Sequence, residues 1–112
     1  MNYEAIDQNG VTFLVIKLRR ATADAAKDFK QYLFDLIETS GKKKIIIDLT
    51  DVEFVDSSFL GAIVSGLKKV TAVKGDIKIV GLQAPVRAMF ELTRLYKVFE
   101  IFDAREDAVS SF

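Results

Sequence analysis

The chain has 112 residues, of which 50% are hydrophobic, and this length and composition predict one domain with a substantial core over residues 1–112. Its sixteen basic and sixteen acidic residues cancel, so no net charge attracts nucleic acid or an anionic membrane. The sequence contains no cysteine or histidine, which excludes disulfides, thiolate metal sites and an intrachain Ser-His-Asp or Cys-His catalytic arrangement.

The sequence also lacks the usual marks of membrane insertion or export. No stretch approaches the roughly 18 consecutive apolar residues that indicate a transmembrane helix. The first residues, MNYEAIDQNG, lack the basic and apolar regions of a signal peptide. We therefore expect a soluble, cytoplasmic protein, and the absence of cysteine is compatible with a reducing compartment.

The hydrophobic pattern predicts an α/β fold with the element order β-β-α-β-α-β-α-β-α. Two strands open the chain as a hairpin, joined by a turn at residues 7–10 whose Asn-Gly pair favours positive φ. The alternation of strands and helices that follows implies a mostly parallel sheet with right-handed crossovers. The strands are expected near residues 3–6, 11–18, 44–49, 77–82 and 98–102, and the helices near 22–40, 58–74, 85–93 and 105–110.

The most informative stretch is residues 44–67, KIIIDLTDVEFVDSSFLGAIVSGL. Its apolar run at residues 45–47 does not alternate, which is typical of a strand covered on both faces. After Ser58 the period becomes helical, and the apolar stripe consists of Leu60, Ile63, Val64, Leu67 and Val70. Between the two patterns, Asp56, Ser57 and Ser58 carry short oxygen-bearing side chains that can cap a first helical turn.

An Asp-Ser-Ser sequence before an apolar stripe is most often an ordinary helix cap. Its position favours a functional role, because open parallel sheets place their sites outside the carboxyl ends of strands. The junction therefore holds a hydroxyl at the positive end of a helix, but geometry alone names no chemistry.

Four acids, Asp48, Asp51, Glu53 and Asp56, cluster in sequence and have the oxygen ligands that Mg²⁺ prefers. A magnesium site would also need carboxylates at the end of an earlier strand, where the chain has Arg19-Arg20. The glycines form no phosphate-binding loop. We therefore expect neither a metal nor another cofactor, and we assign these acids to capping and to a solvated loop.

The motif Asp48-Leu49-Thr50, Val52, Phe54, Val55-Asp56-Ser57-Ser58 and Leu60-Gly61 resembles the signature of the STAS domain, the fold of bacterial anti-sigma-factor antagonists. The similarity in length and element order extends over nearly the whole chain. In that family a serine or threonine of this motif is phosphorylated by a partner that is both anti-sigma factor and protein kinase. The second serine of the family's motif falls on Ser58. The family most often has glycine where this chain has Phe59.

The resemblance implies a regulator and not an enzyme. The unmodified chain would bind the anti-sigma factor and thereby free the sigma factor. The phosphorylated chain would dissociate from the anti-sigma factor, and a PP2C-type phosphatase would remove the phosphate. No internal base is evident, so the kinase would have to supply it. Without the resemblance, the residues do not separate Ser58 from Ser57 as the acceptor.

The partner-binding surface is expected around the same junction. Phe59 and Ala62 lie at helical spacing, and a partly exposed Phe59 would serve as an aromatic anchor. Packing of Phe59 beneath the acidic loop is an equal alternative. Asp51 and Glu53, with Asp56, would form a negative patch to which a phosphate adds further charge.

Three other functions remain open. The same fold without kinase control serves as a constitutive interaction subunit of larger regulatory or lipid-transport complexes. A receiver-type domain phosphorylated on Asp48 or Asp51 would give nearly the same element order. A small enzyme is the least supported, because histidine and cysteine are missing.

Overall fold

The computed structural model describes residues 2–112. The strands are β1 (Tyr3–Gln8), β2 (Val11–Ile16), β3 (Arg20–Ala21), β4 (Lys44–Asp48), β5 (Phe54–Val55), β6 (Asp76–Val80) and β7 (Ile101–Phe102). The helices are α1 (Ala23–Glu38), α2 (Ser57–Thr71), α3 (Ala84–Leu92) and α4 (Arg105–Ser110), with a 3-10 turn at Leu95–Lys97. Within residues 2–112, no helix has the length and apolar character needed to cross a bilayer.

Five strands form the main sheet in the order β1-β2-β4-β6-β7. β1 runs antiparallel to β2 and every other neighbouring pair is parallel, which confirms the predicted hairpin start and mostly parallel sheet. The hairpin turns through Asn9 and Gly10, whose φ angles of 54° and 82° are both positive. The Asn-Gly pair predicts this conformation, because these residues tolerate the left-handed region best.

The two faces of the sheet are covered unequally. α1, α2 and α3 contribute to the larger core, and α4 packs on the other face, where Ala108 meets Phe13 and Ile46. β4 lies in the middle of the sheet, and its three isoleucines are fully buried. This two-sided burial explains the continuous apolar run in the sequence.

A second, two-stranded sheet is absent from the sequence prediction. β3 and β5 pair in parallel, with Arg20 opposite Phe54 and Ala21 opposite Val55. The expectation that the second strand continues to residue 18 is wrong, because β2 ends at Ile16. The small sheet joins the segment before α1 to the segment before α2, and it therefore brings the first turns of the two helices together.

The strand expected at residues 98–102 is shorter than predicted. Only β7 (Ile101–Phe102) pairs with the sheet. The chain reaches it through the 3-10 turn, which follows Arg94 in the left-handed region at φ 60°. Phe99 is buried and packs edge-to-face on Phe90, with 6.3 Å between ring centroids. Core packing of Phe99 therefore overrides the β propensity of this segment.

α1 and α2 pack closely on the sheet. The rings of Phe29 and Phe59 stack with centroids 4.4 Å apart. Further along, a Cβ placed on Gly66 would lie 2.2 Å from Leu33 Cδ2, a distance that side-chain atoms do not tolerate. Glycine at position 66 is therefore what allows the two helices to approach this closely.

One carboxylate caps both helices. Asp56 Oδ1 accepts a hydrogen bond from the backbone N–H of Phe59 in the first turn of α2, at 3.0 Å. Its Oδ2 accepts from the backbone N–H of Ala23, the first residue of α1, at 2.8 Å. Thr22, which precedes α1, makes no side-chain cap hydrogen bond. Asp56 therefore satisfies donors at two helix starts that are far apart in sequence.

The two glycines of α2 offer a matched test of the helix packing. Gly61→Ala should raise the free energy of unfolding by about 0.5 to 1 kcal/mol, because alanine favours the helix and nothing lies within 4 Å of its new methyl group. Gly66→Ala gains the same propensity but overpacks against Leu33, which costs about 1 to 3 kcal/mol. Urea unfolding measures both. Equal stabilisation by the two substitutions would contradict the close approach of α1 and α2.

Substitution of Asp56 tests the shared cap. Asp56→Ala should lower the free energy of unfolding by about 2 kcal/mol or more, since each lost N-cap costs about 0.5 to 2 kcal/mol. Asp56→Asn keeps one carbonyl acceptor, so its loss should be intermediate. Thr22→Ala is the matched control and should change stability by less than about 0.5 kcal/mol. Similar losses for Thr22→Ala and Asp56→Ala would show that Asp56 caps only one helix.

Candidate functional site

Ser57 and Ser58 are the first two residues of α2, and both side chains are exposed. The backbone N–H groups of both residues have no acceptor within residues 2–112, because the Asp56 carboxylate bonds to Phe59 and Ala23 instead. Unpaired N–H groups and the positive end of the helix dipole favour an anion at this position. The structure therefore places two accessible hydroxyls at a helix start that is able to hold added negative charge.

Ser58 lies at an open groove of about 480 Å³ between α1 and α2. The residues that α2 contributes to the groove all have small side chains, so this side of the groove is open to solvent. At Gly61 the space is open enough for a Cβ to meet nothing within 4 Å. The lining residues are Ser58, Gly61, Ala62 and Ser65 from α2, and Ala26, Lys27 and Lys30 from α1.

Two lysines that the sequence analysis did not single out face the same groove as Ser58. Lys27 and Lys30 are exposed, and neither forms an ion pair with a carboxylate of residues 2–112. Lys30 Nζ lies 5.4 Å from the centroid of the Phe34 ring. The signal in the sequence is the spacing of three residues, which puts both lysines on one face of α1. Only the packing of α1 on α2 reveals that this face adjoins Ser58.

The loop before α2 is less negative than the sequence predicts. Arg19 binds Glu53 with both ends of its guanidinium, through Nε at 2.9 Å and Nη2 at 3.3 Å. This hydrogen bonding, assisted by the charge of Glu53, raises the pKa of Arg19. Asp56 faces two helix N-termini, and Asp51 is exposed on the loop. Asp51 therefore contributes more uncompensated charge to this surface than Glu53 or Asp56.

The expectation that Phe59 is partly exposed is wrong. Its side chain is 0% exposed, because α1 covers this flank of α2 and Phe29 stacks on the ring. Ala62 is also buried, at 5% exposure, and offers a partner only a small part of the groove floor. An exposed aromatic close in sequence to Ser57 and Ser58 is Phe54, at 37% exposure, with the Arg20 guanidinium carbon 4.7 Å from its ring centroid.

The four acids considered as magnesium ligands do not share a site. Asp48 is 2% exposed and is held by Thr50 and by Arg105 of α4, whose Nε lies 2.9 Å from Oδ2. Glu53 is taken by Arg19, and Asp56 by the two helix starts. In the part of the chain that the structure describes, no three acids gather in a way that could hold a metal ion. Burial beneath Arg105 also leaves Asp48 poorly placed as a receiver-type phosphate acceptor.

Comparison with known proteins identifies relatives in bacteria. The chain is 36% identical over 81 residues, 72% of its own length and 72% of the relative's, to a candidate anti-sigma-factor antagonist of Thermotoga neapolitana. A crystal structure of a candidate anti-sigma-factor antagonist of Thermotoga maritima matches with a TM-score of 0.86 and 27% identity, covering 97% of this chain and 92% of that one.

The fold is also shared with the Bacillus cell fate determinant SpoIIAA in its phosphorylated form, at a TM-score of 0.75 and 17% identity, covering 97% of each chain. The model of the STAS domain matches residues 14–108, which include the whole of the sheet from β4 onward and the start of α2. This match spans well over half of the chain, and the relatives that align with it are named anti-sigma-factor antagonists. The chain belongs to the STAS domain family of anti-sigma-factor antagonists.

Proposed function

We propose that this chain is an anti-sigma-factor antagonist that is switched by phosphorylation of Ser58. The unmodified form binds an anti-sigma factor that is also a serine kinase, and thereby releases the sigma factor. The phosphorylated form does not bind, and a PP2C-type phosphatase restores the unmodified form in the cytoplasm. The observation that carries the proposal is the exposed Ser58 hydroxyl in the first turn of α2, at the groove between α1 and α2.

The chain serves as the substrate in this reaction. The groove around Ser58 is lined by lysines, serines and small apolar residues, none of which is a carboxylate that accepts a proton. The partner therefore supplies Mg-ATP and the base. Ser58 Oγ forms a bond to the γ-phosphorus, the bond to the leaving ADP oxygen breaks, and the hydroxyl proton passes to the base of the kinase. Ser57 is the alternative acceptor, because it is exposed beside Ser58.

The fold tolerates the added phosphate. A phosphoserine carries roughly −1.5 to −2 charges at pH 7, and a helix N-terminus favours negative charge. The N–H groups of Ser57 and Ser58 are available as donors. The related fold of SpoIIAA is known in a phosphorylated form, so the architecture is compatible with the modification.

The phosphate acts on partner binding because it changes the surface that a kinase must contact. A partner that phosphorylates Ser58 has to contact the groove, and the neighbouring surface bears Asp51, Glu53 and Phe54. A like charge opposed across an interface costs several kcal/mol. Since 1.4 kcal/mol is tenfold in affinity, a cost of this size abolishes binding of micromolar strength.

Phosphorylation should be confined to one serine. After incubation with Mg-ATP and candidate anti-sigma kinases, site-resolved mass spectrometry should place the phosphate on Ser58. The signal should vanish in Ser58→Ala and persist in the matched control Ser57→Ala. Calorimetry should then show at least about a 100-fold weaker affinity of the phosphorylated form for the kinase.

Two results would contradict this proposal. Phosphate that persists in Ser58→Ala would move the switch to another residue. A partner that binds tightly without phosphorylating the chain would instead identify a constitutive STAS interaction subunit.

The exposed aromatic of β5, Phe54, should contribute to the same interface. Phe54→Ala should weaken partner binding by about 2 kcal/mol, as aromatic hot spots do. Leu92→Ala is the control, because Leu92 is 78% exposed but lies at the end of α3 and does not line the groove. Melting temperature is measured beside affinity. Equal affinity losses in the two variants, or a loss of melting temperature with unchanged affinity in Phe54→Ala, would exclude Phe54 from the interface.

A further inference from the structure

We propose that Lys27 and Lys30 of α1 bind the phosphate carried by Ser58, so that phosphorylation closes the groove with an ion pair between the two helices. This inference rests on the proposed function, since it requires Ser58 to be the phosphate acceptor. It goes further in assigning a recognition role to two residues outside the Asp-Ser-Ser motif.

The first argument is placement. Lys27, Lys30 and Ser58 line the same groove, with the lysines on its α1 side and the serine on its α2 side. The relative position of the two helices is fixed by the Phe29–Phe59 stack and by Asp56, which bonds to the first turns of both. Gly61 and Ala62 lie next to Ser58 in the groove. Because both are small, the space between the lysines and the serine stays open.

The second argument is charge. Seven of the sixteen cationic side chains form ion pairs within residues 2–112, as Lys69 does with Glu38 at 3.0 Å and Arg19 does with Glu53. Lys27 and Lys30 form no such pair in the described range 2–112. No carboxylate lines their groove. Two unpaired cations beside a modifiable hydroxyl are suited to a dianion that arrives only on phosphorylation.

The third argument is the chemistry of the bound state. The phosphate oxygens would receive charge-assisted hydrogen bonds from the two ammonium groups, together with the free N–H groups at the start of α2. The groove then changes from an open cationic surface to a filled and neutralised one. A partner that approached the unmodified groove with its own carboxylates would lose both the space and the lysines.

The test uses the full chain with phosphoserine installed at position 58 during translation, so that no kinase is needed. Phosphorus NMR follows the second ionisation of the phosphate as a function of pH. Nearby cations favour the dianion, so its pKa should lie below the ordinary value of about 6. In the double variant Lys27→Gln, Lys30→Gln the pKa should rise by about 0.5 unit or more.

Three controls separate an ion pair from a structural effect. Lys27→Arg with Lys30→Arg keeps both charges and should keep the lowered pKa. Lys69→Gln removes a cation near the other end of α2, outside the groove, and should leave the pKa unchanged. About 1 M NaCl should reduce the difference between the parent chain and the glutamine variant. At this ionic strength the Debye length is about 3 Å, so exposed charges that lie farther apart are largely screened.

An unchanged phosphate pKa in the glutamine variant, with circular dichroism showing the native fold, would overturn the assignment of Lys27 and Lys30. That result would leave the proposed function standing, since a phosphate can block a partner without binding lysine. Conversely, a lowered phosphate pKa in the translated phosphoprotein, together with a failure of every candidate kinase to modify Ser58, would support the lysine contact and contradict the proposed function.

Discussion

The arrangement of the site depends on the carboxylate of Asp56, which lies between the N-termini of α1 and α2. Each oxygen accepts from one helix, so the two positive helix ends converge on one negative group. The position of Ser58 relative to α1 is fixed by this contact, although the two residues that it joins to Asp56 are far apart in sequence. The positive electrostatic field at the helix N-termini, which favours the Asp56 carboxylate, would also favour a phosphate on Ser58. The observed cap and the proposed phosphate site therefore depend on a single electrostatic feature.

Below the caps, core packing holds the two helices at a constant separation. Phe59 stacks on Phe29, and Gly66 lets Leu33 approach the backbone of α2. The family resemblance places glycine most often at position 59, so Phe59 is a departure from the pattern. Because its ring is buried against Phe29, Phe59 contributes to the packing of α2 on α1 and not to the exposed surface beside Ser58. The exposed surface beside the serines is formed by other residues, Phe54 with Arg20 and the lysines of α1.

The features that were predictable are those with long or chemically specific patterns. The buried run of β4 has the length and β-branched composition typical of a covered strand, and the Asn-Gly turn and the Asp-Ser-Ser start of α2 have residue types that those conformations favour. β3 and β5 have two residues each, too few for any period. The sequence does not predict the burial of Phe59. Because α2 packs against both the sheet and α1, the buried face of α2 is wider than the single apolar stripe that the sequence shows. The proximity of Lys27 and Lys30 to Ser58 depends on a contact between helices, and no local pattern contains that information.

These constraints favour a switch that acts on the surface of the protein and not on its fold. Ser58 lies in a helical turn fixed by two caps and by a stacked aromatic pair, so a phosphate there meets a rigid support. A modification changes partner binding only by the difference between the interaction free energies of the modified and unmodified forms with that partner. In the proposed switch that difference arises within the groove, where a phosphate would add bulk and would occupy and neutralise the neighbouring lysines. A local change of several kcal/mol is sufficient for a micromolar complex, so the mechanism requires no rearrangement of the sheet or helices.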